Sequence, residues 1–237
     1  RIAQSLEGFE IIPATCLDSV LHHIPGTRSP LSGAHSWHVL LEIVRDQPDA
    51  KDPRAVAENL LAEAMERDLI EDATLAASEQ QAEDFWKIRD SIAEAERASG
   101  PALQHDISVP VPGMARFISE ASPVVEARFP GTKVAAFGHM GDGNVHFHVK
   151  APSGVQPQEW MQGAAKQITP LVHDLVIAAG GSISAEHGIG QNKRTELERL
   201  SSEARLSLLR AIKTAIDPKN IMNPGKLVPL ASSQSGS

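Results

Sequence analysis

Histidines at 139, 146 and 148 fall close together in a 237-residue chain that carries ten histidines in all. Imidazole is the commonest ligand for zinc and related ions. Two histidines from one hairpin and one carboxylate give a three-ligand site that leaves a position for water or substrate. The stretch VAAFGHMGDGNVHFHVKAP, residues 134–152, supplies the hairpin. Asp142-Gly143 between two β-forming runs predicts a two-residue type I′ turn, which needs positive φ at both central positions. In that register His139 lies directly opposite His146, with Cβ atoms about 4.5–5.5 Å apart. His148 joins their face by the period of two, while Met140, Val145, Phe147 and Val149 take the other face, toward the core. A single histidine on a strand is ordinarily solvated or hydrogen-bonded, and His22, His23, His35, His38 and His173 are read that way.

A hairpin can supply only part of a ligand set. The other dense stretch, GGSISAEHGIGQNKR (residues 180–194), is rich in glycine and small residues, which let backbone approach a ligand or another segment closely. Glu186 and His187 stand in its middle. Glu186 is placed to complete a two-histidine site; the plainer alternative is a surface ion pair with Lys193 or Arg194.

These residues need a scaffold, and the rest of the chain is of ordinary globular composition, 41% hydrophobic and 22% charged. A net charge of −8 without any Lys/Arg run argues against nucleic acid as a partner. Cys16 is the only cysteine, which excludes a disulfide framework and fits a reducing compartment, the cytoplasm. No apolar run reaches the roughly 18 residues of a membrane span, and no signal-peptide pattern opens the chain. Arg1 instead precedes a strand-like segment, as in a piece of a longer polypeptide.

GFEIIPA and WHVLLEIV (residues 37–44) read as strands, both too apolar for sheet edges, and LIEDATLAAS as a strand running into a loop. DPRAVAENLLAEAMERDL is a helix with Asp52 as cap and Pro53 at its first position. SEQQAEDFWKIRDSIAEAERASG, residues 78–100, is a second helix, capped by Ser78 and stopped by Gly100. HDISVPV gives a further strand. PQEWMQGAAKQITPLVHDLVIAAGG is helical with a kink or division at Pro170, and LERLSSEARLSLLRAIKTAID is the last long helix. The expected fold is α+β, a mainly antiparallel sheet with helices packed on one face and a C-terminal helical segment. Residues 1–230 are expected to form one domain, and residues 231–237 a disordered tail.

The motifs GHMGDGNVH, SAEHGIG and DPKNIMNPGKL, in this order and joined by DFWKIRDSI and HDISVPV, resemble the C-terminal half of FAD-dependent D-2-hydroxyacid dehydrogenases. This group includes D-lactate and D-2-hydroxyglutarate dehydrogenases, flavoproteins of the vanillyl-alcohol-oxidase type. The likeness runs from about Phe9 to Val228. It implies that His139, His146 and Glu186 ligate a divalent metal, most simply zinc, and that His187 is the catalytic base. It also implies that Arg89 binds the substrate carboxylate, a task suited to a bidentate guanidinium. Asn223 would lie against the flavin-bearing domain. Two positions depart from the pattern of the D-2-hydroxyglutarate enzymes, Ala93 in place of a threonine and Gln104 in place of a lysine. His148 stands where asparagine is commoner. Gln104 and His148 are thus expected beside the substrate, with a shorter or less charged acid such as D-lactate favoured.

The chemistry so implied is removal of the hydroxyl proton by His187 while the α-hydrogen leaves as hydride to the flavin. No strand opening through G-x-G-x-x-G into a helix is present, so FAD is expected to bind mainly to a domain upstream of Arg1. The surface that meets that domain is expected to be apolar and able to drive self-association as a homodimer. The electron acceptor is left open. Two other classes remain in view: a zinc hydrolase using the same two histidines and glutamate, and a noncatalytic binding module.

Overall fold

The computed structural model describes residues 5–45, 47 and 50–228, so the tail expectation for residues 231–237 falls outside the described residues. Along the chain run β1 (Leu6–Pro13), α1 (Ala14–His23), β2 (Trp37–Ile43), α2 (Pro53–Glu66), α3 (Glu79–Asp90), α4 (Ile92–Ala98) and β3 (Ala102–Ser108). There follow α5 (Met114–Arg128), β4 (Lys133–His139), β5 (Asn144–Lys150), α6 (Pro157–Gln162), α7 (Ala165–Ala178), α8 (Arg194–Leu200) and α9 (Glu203–Ile216). The strands form one antiparallel sheet in the order β2-β1-β4-β5-β3.

Both faces of this sheet are covered, where helices on one face were expected. Alternation along each strand sends Ile11, Ile107, Ala136, Val145, Phe147 and Val149 to one side, against Phe117, Ile118 and Val125 of α5 and Ile168, Val172 and Val176 of α7. Ile12, Ala135 and Phe137 point the other way, against Cys16, Leu17 and Val20 of α1, Ile88 of α3 and Ile92 of α4. The physical reason is that β1 and β4 carry apolar residues at consecutive positions, which only a sheet buried on two sides can use. The second apolar layer spans only part of its face. Beyond it the same face carries Glu10, Asp106, His139, His146 and His148.

Several local expectations shift. WHVLLEIV becomes β2, an edge strand after all, with Trp37 and Val39 about half exposed. LIEDATLAAS forms no strand. The helix expected over 78–100 is two, α3 and α4, separated at Ser91, although Ser78 caps as expected by accepting the Gln81 N–H. The division expected at Pro170 falls instead at Gly163, whose ψ of −104° is not helical, and Pro170 sits within α7. The last helix is likewise divided, because Ser202 accepts the Arg205 N–H and so starts α9 afresh.

The hairpin register differs by two residues from the one a two-residue turn would give. Phe137 opposes His146 and His139 opposes Asn144. The loop is longer because the Gly143 N–H reaches back to the His139 carbonyl (3.1 Å) and Asp142 accepts the Asn144 N–H (2.9 Å). A shift of two leaves every side chain on its original face, so the three histidines stay together. Gly143, at φ +77°, also accepts the Val109 N–H, and a Cβ there would meet the Val109 carbonyl oxygen at 2.1 Å. Replacing Gly143 with alanine is expected to cost about 1–2 kcal/mol for the left-handed backbone alone, lowering the melting temperature by at least about 2–4 °C in a circular-dichroism melt.

On the opposite face His105 donates from Nδ1 to the Phe147 carbonyl (3.0 Å) and accepts at Nε2 from Thr169 (3.1 Å). Burial disfavours its charged form and brings its pKa from 6.5 down to about 4. As pH falls below 6.5 the unfolded chain therefore takes up this proton before the folded one does, and stability is lost progressively between pH 6.5 and about 4. At pH 5 the loss from this residue should be on the order of 2 kcal/mol. Urea unfolding at pH 7.5 and 5, compared between the wild type and His105→Gln, should show the smaller pH dependence in the variant.

Candidate metal and active site

The centre of the polar half-face is a buried carboxylate. Glu10 projects from β1 opposite His139 of β4, and it is 3% exposed. Its Oε1 accepts from His139 Nδ1 (2.8 Å) and its Oε2 from Arg89 Nε (2.7 Å). Arg89 comes from the last turn of α3, is 8% exposed, and places its guanidinium 5.4 Å from the centre of the Phe137 ring. Because His139 donates through Nδ1, its Nε2 holds the lone pair that a metal requires. Arg89 Nη2 lies 3.3 Å from that nitrogen. A carboxylate fixing the remote nitrogen of a ligating histidine is a recurrent support for metal sites.

His146 stands beside His139 with ring centres 5.5 Å apart. Burial, reinforced by the positive charge of Arg89 and by His139, holds its pKa below 6.5 and favours the neutral form that binds metal. From the glycine-rich loop Glu186 brings Oε1 to 3.6 Å from His139 Nε2. One ligand atom from each of His139, His146 and Glu186 lies within 4.8 Å of the others. Three donors bound to one zinc ion at about 2.0–2.2 Å would stand roughly 3.5 Å apart. The exposed Glu186 side chain can close the remaining gap by a rotamer change, so the donor set fits a divalent ion.

Asp106, Glu186 and His187 form a second group of similar compactness. Its carboxylate is already engaged: Asp106 accepts the backbone N–H groups of Ala185 (3.2 Å), Glu186 (3.1 Å) and His187 (2.9 Å). Burial by itself raises the pKa of this carboxyl, but the N–H bonds from His187 and Glu186, together with Lys193, outweigh it and hold it below the usual range. Asp106 thus holds protein, and the metal-like cluster is the one built on the histidines. His187 itself is exposed, with Nδ1 3.9 Å from Asp106 Oδ2.

The remaining sequence candidates are spread along the same face or lie off it. His148 is 5% exposed, packs edge-on to Phe137, and has its pKa brought down to about 3 by burial and by the neighbouring His146 and His105. Gln104 is its cross-strand partner on β3 and is exposed. Asn223 is exposed at φ +49° in a turn ahead of Leu227, whose N–H donates to the Gly190 carbonyl. Sequence reasoning missed Glu10 and Asp106. Both are single charges inside otherwise apolar strand runs, GFEIIP and HDISV, and a charge in such a place needs a partner.

In the Gly-rich loop the consecutive N–H groups of residues 185–187 are taken by Asp106 and so are closed to an outside anion. Among the described residues no helix is long and apolar enough to cross a membrane.

An antiparallel sheet presenting two histidines, a carboxylate and a clamped arginine on one half-face defines a domain equipped to hold a divalent ion beside an anion-binding group. The family model for FAD linked oxidases, C-terminal domain, matches residues 1–227, and the chain belongs to that family. It is 31% identical over 230 residues to the mitochondrial D-2-hydroxyglutarate dehydrogenase of Arabidopsis thaliana, covering 97% of this chain and 39% of the relative. It is 33% identical over 227 residues to the D-2-hydroxyglutarate dehydrogenase of Xanthomonas citri pv. viticola, covering 96% of this chain and 47% of that protein. The chain therefore spans less than half the length of these relatives.

Glu10→Gln should loosen both His139 and Arg89. Second-layer partners of this kind are worth about 10- to 100-fold in metal affinity. The rise in melting temperature on adding Zn²⁺ is expected to be clearly smaller in the variant than in the wild type, as measured by differential scanning fluorimetry.

Proposed function

We propose that this chain is the substrate- and metal-binding part of a longer FAD-dependent dehydrogenase that oxidises a D-2-hydroxy acid to the 2-oxo acid. The observation that carries this reading is the convergence of His139, His146 and Glu186 beside the Glu10-clamped Arg89. A metal ion there and an arginine alongside suit a substrate whose hydroxyl and carboxylate are adjacent. The relatives named as D-2-hydroxyglutarate dehydrogenases support the same class.

In this reading Arg89 takes a carboxylate oxygen through Nη1 and Nη2 while Nε stays on Glu10, which fixes the orientation of the acid. His139, His146 and Glu186 would hold a divalent ion, which would supply Lewis acidity toward the adjacent hydroxyl. His187 accepts the hydroxyl proton at Nε2; its Nδ1 faces the Asp106 carboxylate, which favours the tautomer with the proton on Nδ1 and leaves Nε2 free. The hydride acceptor is proposed to be an FAD bound mainly outside these residues, supported by the FAD linked family and by the chain spanning less than half of its relatives. Nothing in the family match favours the hydrolase or the noncatalytic reading.

The far end of the same face lies beyond His148. Gln104 is neutral, Ala93 has no polar group, and Lys150 is already paired with the buried Glu96 (3.3 Å). Arg97 lines the hollow beside Gln104, so this end keeps one cation; the neutral Gln104 and the apolar Ala93 are the basis for proposing a shorter or less charged acid, as in D-lactate. Leu208, Ile212 and Ile216 form an exposed apolar stripe along α9, and we assign it to contact with the rest of the longer protein or with a second copy. The buried, single Cys16 is the basis for proposing a cytoplasmic, reducing location.

The test uses the full-length protein with flavin bound, supplied with D-hydroxy acids and an artificial electron acceptor. Turnover to the 2-oxo acid is expected, with D-lactate favoured over D-2-hydroxyglutarate. His146→Ala should lose both the metal and turnover. Gln104→Lys should improve kcat/KM for the dicarboxylate by about 10- to 100-fold, the worth of one charge-assisted hydrogen bond at roughly 1.5–3 kcal/mol. Absence of turnover with every D-2-hydroxy acid in a flavin- and metal-loaded protein would sink the reading.

A further inference from the structure

The geometry points to Asp106 as the positioning residue of the site, a buried carboxylate that holds the loop presenting the third metal ligand and the base. This rests on the metal reading of His139, His146 and Glu186. Glu186 and His187 both lie in an exposed, glycine-flanked stretch that has no helix or strand of its own. A side chain on such a stretch would ordinarily sample many positions, which a ligand and a base cannot do.

The structure answers with one carboxylate. Asp106 Oδ2 accepts N–H bonds from Ala185, Glu186 and His187 and also the Ser184 hydroxyl (3.4 Å), while Oδ1 receives a second contact from the Glu186 N–H (3.2 Å). The anion is fixed in turn by its own strand. It sits in β3 directly opposite the ligand His146 and is 3% exposed. Lys193 closes the other end of the loop by donating to the Asp106 backbone carbonyl (2.9 Å), and its ammonium stands 3.6 Å from Oδ2. The neighbouring bridge between Ser108 and Ser182 ties the loop's beginning to the same strand.

Three successive N–H groups converging on one negative charge form a concave nest of the sort that binds external anions. Here the anion belongs to the protein. The register of β3 against β5 therefore sets where Glu186 stands relative to His146, because Asp106 and His146 are a cross-strand pair. The charge matters as well as the shape. An asparagine oxygen could replace Oδ2 but would bring weaker bonds and an amide N–H in place of Oδ1, so Asp106→Asn should be intermediate between the wild type and Asp106→Ala.

The experiment compares the full-length wild type, Asp106→Asn and Asp106→Ala. Zn²⁺ affinity is measured by calorimetry, and hydrogen–deuterium exchange is followed in peptides covering residues 184–190 and β5. The expected result in Asp106→Ala is a Zn²⁺ Kd raised by about 10- to 100-fold and faster exchange in residues 184–190, with β5 protected as in the wild type. Asp106→Asn should fall between. Unchanged affinity and unchanged exchange in Asp106→Ala overturn the assignment. So does free-chain exchange of residues 185–187 in the wild type, a result that holds even if the variants fail to fold. Should the wild type bind no Zn²⁺ while the graded exchange pattern appears, the metal reading of the site fails and the anchoring role of Asp106 stands.

Discussion

The arrangement depends on a carboxylate that has no water to fall back on. Glu10 is buried under α3 with each oxygen committed, one to an imidazole and one to a guanidinium. An ionised carboxylate so placed is tolerable only while both partners stay, and removing either would leave an uncompensated charge. The sheet, the α3 helix and the hairpin are thereby held to a common geometry. The cost of burying Glu10 is offset by geometric definition, because the groups it holds are the ones that face the polar cluster.

Asp106 repeats the principle on β3, three strands across the sheet from β1. There the partners are backbone amides of a loop, so what is held is a stretch of main chain. Between these two anions lie the histidines of β4 and β5, shielded on one side by the apolar layer of Phe137, Ile12 and α1. One half of the sheet face is thus core and the other is a charged, ordered floor, and the boundary runs through Phe137, whose ring touches Arg89, His146 and His148.

Much of this was readable from residue order. The alternation around Asp142-Gly143 put the histidines on one face, and it did so even with a turn of the wrong length, because parity survives a shift of two. Ser78, Pro53 and Gly100 marked helix ends by local chemistry that needs no tertiary context. The second helix layer was illegible because periodicity along β1 and β4 cannot say what lies across from each side. Glu10 and Asp106 were passed over for a related reason. Their partners are 79 residues distant in the case of Arg89 and 80 in the case of Glu186, and no local pattern records such a pairing.

The three donors come from parts of the chain that meet only when β3 and β5 are joined and the loop after α7 has been captured by Asp106. An unfolded or partly folded chain has no such constellation. Binding of an ion there, the use proposed for the site, would be coupled to completion of the sheet, with bound metal adding RT ln(1 + [M]/Kd) to the native state alone. In a cell short of the ion, a protein built this way would be depleted by unfolding and proteolysis as well as left without its chemistry.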